Sequence, residues 1–455
     1  MTAQLRQYAD HQISALAMMD GNERLGLFFD PGTGKTATAL KWTMDAMSSG
    51  LAEDAIVICP AAIVPVWEKG IEDMILFEGT TPEQVQMLRD RVHISSYQKI
   101  YRTTKHTVQH RNGKESNKKI IRLRDEVDKH WSIMIVDESH RIGVHSSIQT
   151  KMCIELSQLC DYRYILSGTP VSGGKGVEAY DKLYGQLQVL TQGRLWKNWT
   201  EFKEKMVISF DPWGNPYRYK VDECKRLMQE YAIVARLEDC FDMPDKIDVE
   251  IQCDLAEKTI YKDIKEGRFR QYDLDLRTTG SQYPKLMQLC GGSMITETGI
   301  KTFKTSKEAA LKEIIEGTDD KVVIFALYKA SVDRCAEICR KLGKKTVTFD
   351  GRSKEPTWKE FQYGDAEICV CQYYRGGEGI DLFTSHTTVF YEPCFSAKDL
   401  TQSIARTYRK GQEHKCLFYY LITKNTVEEK AWKTVRSGTT ITKKVFDEWA
   451  EGKVW

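Results

Sequence analysis

The chain has 455 residues, of which 41% are hydrophobic. This length exceeds the roughly 250 to 300 residues at which a single core stops growing, so at least two domains are expected. Lys and Arg number 66 against 64 Asp and Glu, so the formal net charge of +2 favours no class of partner, and any polyanion-binding surface must come from segregated charge.

The thirteen cysteines are an odd number with none in C-x-x-C spacing, which argues against a disulfide framework and against a zinc ribbon. Cys369 and Cys371 alternate in an apolar run, so we expect them to share one strand face as packing residues. The N-terminus is too polar for a signal peptide, and the longest apolar run, residues 55–67, is too short and proline-broken to span a bilayer. We therefore expect a cytoplasmic protein with no membrane partner.

Predicted strands recur in both halves of the chain as short β-branched runs, bounded by turn residues and separated by helical patterns. Continuous apolar runs of this kind are typical of parallel strands buried on both faces. Each half is therefore predicted to be an α/β layer with a mostly parallel sheet, whose ligand-binding loops lie at the carboxyl ends of the strands. The predicted strands fall within residues 24–29, 54–60, 91–97, 131–138, 162–170, 321–328, 344–351, 367–374 and 387–393.

Between the two halves, the alternation fades into charged segments dotted with aromatic residues. These segments predict helices that are inserted in the lobes or link them. The first lobe is expected to span residues 1–240, with a helical protrusion at about 192–240. The second is expected to span residues 241–455, with a helical insert at about 254–305. The tryptophans of this region are expected to be core residues rather than DNA-facing ones: Trp196, Trp199 and Trp213.

A basic stretch at residues 101–124 follows the third predicted strand and has glycine and asparagine at its middle. One interpretation is a solvated surface hairpin or insertion. The other is a contact with a phosphate backbone, because a run of cations is attracted to a polyanion.

The stretch FFDPGTGKT almost fits the phosphate-loop pattern G-x-x-x-x-G-K-[ST], with Phe29 where the first glycine is expected. It follows an apolar strand and precedes a helical pattern, which is the context that a phosphate loop needs. Gly32 and Gly34 permit a tight backbone path that points amide groups at phosphate. Lys35 is expected to reach the β- and γ-phosphates, and the Thr36 hydroxyl to bind Mg²⁺. Nucleotide binding is predicted, with an ordinary turn as the alternative.

The apolar run SIMIVDESH ends in the acidic pair Asp137 and Glu138. At the carboxyl end of a strand, Asp137 can hold the Mg²⁺ shell while Glu138 orients and deprotonates the attacking water. An acidic pair alone is more often a helix N-terminus, but the upstream phosphate loop favours the catalytic interpretation.

The next predicted strand closes in Ser167-Gly168-Thr169-Pro170. Its hydroxyl groups can sense the γ-phosphate through His140 or Glu138, and a turn capped by Ser and Thr is the alternative.

Two arginines in the second half, Arg406 and Arg409, lie three residues apart and are expected on one helical face. Arginines presented by a second lobe can neutralise charge that develops on a transferred phosphoryl group. On their own, such arginines are usually surface charge. Upstream, a glycine loop that ends in Gly379 and Asp381 can contact both a nucleic-acid backbone and the nucleotide.

Taken in order, these motifs resemble those of the superfamily-two helicases, and within them the Swi/Snf-related DNA translocases. LRQYADHQ resembles the adenine-sensing glutamine motif, with Gln12 three residues further from the tyrosine than is usual. DPGTGKT resembles motif I, AIVICPAAIVPVWEKGI motif Ia and VHISSYQKI motif Ib. VDESHRI is similar to the DEAH-type motif II, with Ser139 in place of alanine, and LSGTPVSG resembles motif III.

In the second half, the segment SKEAALKEII and the strand KVVIFALY resemble the entry to lobe two and motif IV. GGEGIDL resembles motif V, with Asp381 where asparagine is common. Residues 402–412, Q-x-x-A-R-x-x-R-x-G-Q, are similar to motif VI and form the most discriminating part of the match, which spans nearly the whole chain.

The resemblance implies two RecA-like lobes with mostly parallel sheets and inserted helical protrusions, and it implies ATP and Mg²⁺ as cofactors. Its functional residues carry over to matching positions of this chain. The implied nucleotide-binding residues are Gln12, Pro31, Gly32, Thr33, Gly34, Lys35, Thr36, Gly379 and Asp381. The implied catalytic residues are Lys35, Asp137, Glu138, Arg406 and Arg409. The implied coupling residues are His140, Ser167, Thr169 and Gln402, and the implied Mg²⁺ ligands are Thr36 and Asp137.

The leading hypothesis is a monomeric, ATP-driven motor that binds nucleotide between its lobes and steps along DNA, double-stranded DNA being favoured over single-stranded DNA. Closure of the lobes is expected to bring Arg406 and Arg409 to the γ-phosphate. No chromodomain, bromodomain, zinc finger or nuclease-like segment flanks the motor in this sequence, which favours a bacterial or phage style of protein in replication, recombination, repair or defence over chromatin remodelling.

Two rival hypotheses stay open. In one, the motor separates strands or acts on RNA, with residues 101–124 as a wedge flanked by Tyr97, Tyr101 and Trp131 for stacking on a base. In the other, the chain is a nucleotide-dependent switch or scaffold that exposes a partner surface with little translocation.

Overall fold

The computed structural model divides the chain into two compact units. The first comprises residues up to 171 and from 180 to 241, and the second comprises residues from 242 onward. The structure describes residues 5–109, 115–171, 180–210, 214, 216–268, 270–272, 274, 279–352, 355–373, 380–439 and 441.

Within the described residues, the first unit is built on a six-stranded sheet in the order β10-β1-β7-β6-β2-β3, with parallel pairings throughout. The strands of this unit are β1 (Arg24–Phe29), β2 (Ala55–Cys59), β3 (Val92–Ser96), β4 (Tyr101–Gln109), β5 (Glu115–Leu123), β6 (Trp131–Asp137), β7 (Cys160–Leu166), β8 (Val207–Phe210), β9 (Pro216–Tyr219) and β10 (Ala232–Ala235). Its helices are α1 (Asp10–Asp20), α2 (Lys35–Ser48), α3 (Val64–Asp73), α4 (Pro82–Arg91), α5 (Ile148–Ser157), α6 (Leu183–Leu190), α7 (Trp199–Met206), α8 (Val221–Tyr231) and α9 (Leu237–Cys240).

The central strands of this sheet are apolar on both faces because each face supports its own core. Successive side chains of a strand point to opposite faces. In β2, Ile56 and Ile58 enter one buried cluster, whereas Ala55, Val57 and Cys59 enter another. This explains why the central strands are continuous apolar runs instead of alternating ones.

The second unit contains, among its described residues, a six-stranded sheet in the order β11-β18-β17-β14-β16-β15, again with parallel pairings. Its strands are β11 (Lys246–Cys253), β12 (Ser293–Thr296), β13 (Gly299–Thr302), β14 (Val322–Ala326), β15 (Thr346–Phe349), β16 (Ile368–Gln372), β17 (Thr387–Phe390) and β18 (Cys416–Thr423). Its helices are α10 (Lys258–Lys265), α11 (Thr279–Cys290), α12 (Lys307–Glu316), α13 (Lys329–Lys341), α14 (Trp358–Tyr363), α15 (Ala397–Thr407) and α16 (Val427–Arg436).

The predicted fold class is confirmed: two α/β units carry mostly parallel sheets with helices around them. Between the halves, the structure contains predicted helices, among them α7, α8, α10 and α11, and also strands that the sequence analysis did not predict. Residues 207–210 and 216–219 pair as the hairpin of β8 and β9, and β10 joins the first sheet at its edge. The predicted insert at 254–305 likewise ends in the hairpin of β12 and β13. These strands are only four residues long, so they are too short to show a periodicity of two.

Two expectations about packing can be compared with the structure. Cys369 and Cys371 are fully buried on one face of β16 with their Sγ atoms 3.5 Å apart, as expected for packing residues. Trp196 is 3% exposed in the core of the first unit, and Trp199 packs against the same cluster. Trp213 lies outside the described residues.

Among the helices that the structure describes, none combines the length and apolar character needed to cross a membrane.

Candidate nucleotide-binding site

The phosphate loop connects β1 to α2 at the carboxyl edge of the first sheet. Gly32 and Gly34 both have φ of 88°, a left-handed conformation that glycine adopts without steric cost. The Lys35 ammonium donates hydrogen bonds to the main-chain oxygens of Phe29, at 2.7 Å, and Asp30, at 3.2 Å. Phe29 is itself fully buried as the last residue of β1. The missing first glycine is therefore replaced at a position whose side chain packs in the core and whose carbonyl faces the loop.

Gln12, on α1, lies against this loop. Its side-chain amide donates to the main-chain oxygen of Gly34, at 3.3 Å, and to Thr38 Oγ1, at 3.1 Å, while its Oε1 accepts from the Ala9 amide at 3.0 Å. A Cβ atom at Gly34 would press on this amide nitrogen. Gln12 is thus 4% exposed and tied to the loop backbone, in a position from which it can report on loop conformation.

Asp137 ends β6, and hydrogen bonds from three directions hold it in place. Its Oδ2 accepts from Trp67 Nε1 at 2.9 Å, and its Oδ1 accepts from the Glu138 amide at 2.8 Å. The Tyr97 hydroxyl donates to its main-chain oxygen at 2.7 Å. Burial, and secondly the charge of Glu138, raise the pKa of Asp137 to about 6, while Trp67 and Lys35 act in the opposite direction. The carboxylate is therefore oriented but poorly compensated in charge.

Glu138 adopts a left-handed backbone conformation, with φ of 52° and ψ of 45°, at the start of a 3₁₀ turn over Ser139–Ile142. Such a conformation costs a residue with a Cβ on the order of 1 to 3 kcal/mol. Strain of this kind persists only where surrounding contacts enforce it. In this conformation, the Glu138 carboxylate lies beside His140, whose Nδ1 is 3.1 Å from Oε2.

His140 connects this carboxylate to the turn after β7. Its Nδ1 also lies 3.2 Å from Ser167 Oγ, and this oxygen accepts a hydrogen bond from the Thr169 amide at 3.1 Å. Both His140 and Ser167 are buried. The residues predicted to couple hydrolysis to motion in the first unit, His140, Ser167 and Thr169, therefore form one continuous chain of contacts with Glu138.

Residues of α6 that the sequence analysis did not identify support the same turn. Gln186 accepts from Ser139 Oγ at 2.8 Å and donates to the main-chain oxygen of Pro170 at 2.8 Å, so it ties the acidic turn to the Ser-Gly-Thr-Pro turn. A Cβ atom at Gly185 would overlap the main-chain oxygen of Ile142. Neither residue belongs to a pattern that is recognisable in one sequence, since only tertiary packing brings α6 to this turn.

In the second unit, the arginine helix α15 contacts the segment that follows the glycine loop. Arg406 Nη1 donates to the main-chain oxygen of Ile380 at 3.2 Å. Arg409 lies beyond the end of α15 at Thr407, so the expectation that the two arginines share one helical face is wrong. Arg409 instead forms an ion pair with Asp381. Asp381, which is predicted to bind the nucleotide, is thus paired with Arg409 in this structure. Gln402 is 5% exposed on the same helix. Gly379 lies outside the described residues.

The residues predicted to bind Mg²⁺ suit that ion by their chemistry. Mg²⁺ prefers oxygen ligands and usually takes one or two carboxylates together with waters and substrate phosphates. Among the described residues, no cluster of three or more His, Cys, Asp and Glu could hold a metal ion by itself. Asp137 supplies an oriented carboxylate whose pKa is raised by burial and secondly by the charge of Glu138, and Thr36 supplies a hydroxyl in the first turn of α2. This donor set fits a cation that arrives with the nucleotide.

Comparison with known protein families agrees with this arrangement. The SNF2-related domain matches residues 11–306, and the helicase conserved C-terminal domain matches residues 306–411. Both domains define the enzyme class as a helicase-type, nucleic-acid-dependent ATPase. The chain belongs to the SNF2-related family, whose domain covers more than half of it.

Individual relatives are distant but match along most of the chain. The DNA repair protein rhp54 of Schizosaccharomyces pombe is 23% identical over 92% of this chain and 55% of its own length. The uncharacterized ATP-dependent helicase YqhH of Bacillus subtilis is 21% identical over 92% of this chain and 75% of its own length. The chain thus spans about half the length of the first of these relatives. The solved SWI2/SNF2 ATPase core of Sulfolobus solfataricus in complex with dsDNA is 21% identical, covers 99% of this chain and 94% of that one, and has a TM-score of 0.42.

Proposed function

We propose that the chain is an ATP-dependent DNA translocase, which hydrolyses ATP and moves along double-stranded DNA. The observation that carries this proposal is the chain of contacts from Glu138 through His140 to Ser167 and the Thr169 amide. A simple nucleotide-binding domain needs no such connection. A motor needs one, because the state of the γ-phosphate must alter the conformation of a distant element.

Binding of ATP is assigned to the loop after β1. The left-handed Gly32 and Gly34 turn main-chain amides toward the phosphates, and Lys35 would exchange its bonds to the loop carbonyls for bonds to the β- and γ-phosphates. Thr36 and Asp137 would hold Mg²⁺, which supplies charge neutralisation on the phosphate oxygens when it is bound.

Proton transfer is assigned to Glu138. Its carboxylate accepts a proton from the attacking water, and the contact with His140 fixes the direction in which it points. The left-handed backbone of Glu138 agrees with this role, because such strain persists where a functional position requires it.

Stabilisation of charge during the reaction is assigned to two arginines of the second unit. In the proposed cycle, Arg406 and Arg409 stabilise negative charge on the transferred phosphoryl group, and Gln402 couples that event to the DNA grip. The ion pair of Arg409 with Asp381 would have to open or be shared for this to occur.

DNA as the partner, and a role in repair, recombination or replication, complete the proposal. The fission yeast relative is a DNA repair protein, which supports DNA processing. Binding to the phosphate backbone predicts little dependence on sequence and strong dependence on salt.

The test is the steady-state ATPase rate of the wild type, Glu138→Gln and Glu155→Gln, each titrated with double-stranded DNA, single-stranded DNA and RNA. Glu155 is an exposed glutamate of α5 and serves as the matched control. We expect double-stranded DNA to stimulate the wild type and the control most, with Glu138→Gln inactive. Displacement of a triplex-forming strand from duplex DNA then measures translocation directly.

Stronger stimulation by single strands or RNA would replace this proposal with a strand-separating helicase. A wild type that is indifferent to all three nucleic acids would instead support a nucleotide-dependent switch.

A further inference from the structure

The basic stretch of the sequence forms a β-ribbon in the first unit, which we define as residues 101–109 and 115–123. Strands β4 and β5 pair antiparallel from Tyr101 with Leu123 to Gln109 with Glu115, and they form a two-stranded sheet of their own. Nine residues at about 3.4 Å each give the ribbon a length of roughly 30 Å. Its length is comparable to a full turn of duplex DNA, about 34 Å.

The register of the ribbon places cations directly opposite cations. Arg102 pairs with Arg122, and Lys105 pairs with Lys119. Like charges in directly opposed positions destabilise an antiparallel pair. The two strands carry five Lys and Arg residues against a single Glu, in a chain whose net charge is only +2. Such a concentration of charge is explained by an anion that neutralises it from outside.

Internal compensation at the base of the ribbon is weak. Arg102 contacts Asp125 at 2.7 Å, but both side chains are largely exposed, and exposed ion pairs contribute about 0 to 1 kcal/mol. Lys119 and Arg122 are exposed on β5. The side chains of Arg102, Lys119 and Arg122 are therefore presented to solvent.

The root of the ribbon is anchored in the unit. Leu123 is 2% exposed in the main core cluster, against which Tyr101 and Ile121 also pack. The Arg124 amide donates to the main-chain oxygen of Ile100 at 3.0 Å. Because the root is fixed, exposed cations near it, such as Arg122, are held at defined positions, which lowers the entropic cost of binding an extended ligand.

The aromatic residues of the wedge hypothesis are not placed to stack on bases. Tyr97 is 1% exposed and donates to the main-chain oxygen of Asp137, and Trp131 is 3% exposed with its Nε1 donating to the main-chain oxygen of Val127. Tyr101 packs against the same core. A wedge requires aromatic residues that stack on unpaired bases, so this expectation is wrong for Tyr97 and Trp131, whose side chains are buried.

We propose that the ribbon is a DNA-binding arm that contacts the phosphate backbone of a duplex without reading its sequence. The inference rests on the proposed function, since DNA is taken as the anion. A two-stranded ribbon is narrow enough to enter a major groove about 12 Å wide, where cations on the ribbon reach phosphates of both strands. Salt-dependent, sequence-independent affinity is the property that such contacts contribute.

The test compares the double variant Lys119→Gln/Arg122→Gln with the control Lys220→Gln/Lys225→Gln, which removes two exposed cations at the start of α8. The dissociation constant of a duplex of about 30 base pairs is measured at several salt concentrations between about 50 and 200 mM, where the slope of affinity against salt reports the phosphate contacts. The slope of log affinity against log salt is negative, and its magnitude should be smaller by about 2 in the ribbon variant. The affinity near 0.1 M salt should be weakened about tenfold for each lost phosphate contact. The control should match the wild type.

Further readouts separate the outcomes. The ATPase rate without DNA should be unchanged in the ribbon variant, and its thermal midpoint should equal or slightly exceed that of the wild type, because removal of opposed cations relieves repulsion. A ribbon variant with the slope and affinity of the control overturns the arm, even when the wild type binds DNA. A ribbon variant that binds duplex normally but fails to separate strands also overturns it, in favour of strand opening. A wild type that binds no nucleic acid contradicts the proposed function itself.

Discussion

Glu138 combines a strained backbone with a chemical role, and the two are connected. Its left-handed φ of 52° places the carboxylate beside His140, and its amide on Asp137 Oδ1. Residues with a Cβ avoid this region because Cβ crowds the backbone, whereas glycine adopts it freely. Glycine would therefore give the most stable backbone at this position, and the presence of glutamate indicates a functional role for its side chain.

Glu138→Gly should raise the stability of the first unit by about 1 kcal/mol while abolishing ATPase activity, because it relieves the backbone strain and removes the carboxylate together. The measurement is the thermal midpoint alongside the DNA-stimulated ATPase rate. Asn425→Gly is the control, since Asn425 of the second unit also has a left-handed φ, 57°, and is not among the predicted site residues. Its gain should be smaller and its activity unchanged. A lower midpoint for Glu138→Gly would contradict the strain argument.

Asp137→Asn should stabilise the apo protein in a pH-dependent manner. The folded-state pKa of Asp137, about 6, lies above its ordinary value of 3.8, so ionisation of this group weakens the fold as pH rises from about 4 to 6. The variant cannot ionise there. Its thermal midpoint should exceed that of the wild type at pH 8, by the equivalent of about 1 to 3 kcal/mol, with a gap that narrows below pH 6 and closes near pH 4.

The measurement is a thermal scan series from pH 4 to 8 without nucleotide or divalent cation. Asp90→Asn, at an exposed position on α4, corrects for the substitution itself. A gap of constant size across this range would mean that Asp137 does not titrate in the way that its burial implies.

At the scale of elements, the site depends on a helix that carries no catalytic motif. Helix α6 approaches the 3₁₀ turn of motif II so closely that only glycine fits at Gly185, and the next residue, Gln186, joins that turn to Pro170. Such an element acts by positioning the two turns, because Gln186 bonds to Ser139 in one turn and to Pro170 in the other.

Gly185→Ala should lower kcat by about tenfold or more and destabilise the first unit by about 1 to 3 kcal/mol, since a methyl group there must push the turn that carries Glu138. Gly21→Ala is the control: a Cβ atom at Gly21 finds only two oxygens at 4.0 Å. Single-turnover ATPase rates and thermal midpoints of both variants measure the effect. Equal rates for Gly185→Ala and the wild type would show that the turn yields without consequence for catalysis.

The same scale explains which elements were predictable. Strands such as β2 and β6 are buried along their whole length, so their apolar runs are unmistakable. The edge strand β11 was not predicted. It is largely exposed, and its sequence KIDVEIQC alternates polar with apolar residues, so it lacks the continuous apolar run by which the buried strands were recognised. Strand β10 was missed for a different reason: its four residues are too few to show a clear alternation of polar and apolar side chains.

At the scale of the whole molecule, the proposed motor divides its chemistry between two units. The phosphate loop and acidic pair belong to the first unit, and Arg406 and Arg409 belong to the second. In the proposed motor, hydrolysis needs residues of both units, so its rate depends on how the units move relative to each other. This dependence is how a nucleotide can drive a mechanical step.

Arg406→Ala should reduce kcat with saturating duplex DNA by about 10³-fold or more while changing ATP affinity only a few-fold, because its charge acts on the transition state and not on the bound substrate. Binding of a fluorescent nucleotide and steady-state ATPase rates separate the two effects. Lys410→Ala, just beyond the same helix, is the control and should retain activity. A loss of less than tenfold in kcat would assign Arg406 a structural role through its bond to Ile380.

The sequence alone determined the fold class and predicted the phosphate loop, the acidic pair and the arginine pair, because each depends on local chemistry: buried strands need apolar runs, and phosphate needs glycines, a lysine and a hydroxyl at fixed spacing. Only the tertiary structure decided the roles of Trp67 and Gln186, the burial of Tyr97 and Trp131, and the register that opposes Arg102 to Arg122. These features join residues far apart in the chain. Their contacts arise from how helices and strands pack, which no local pattern in a single sequence specifies.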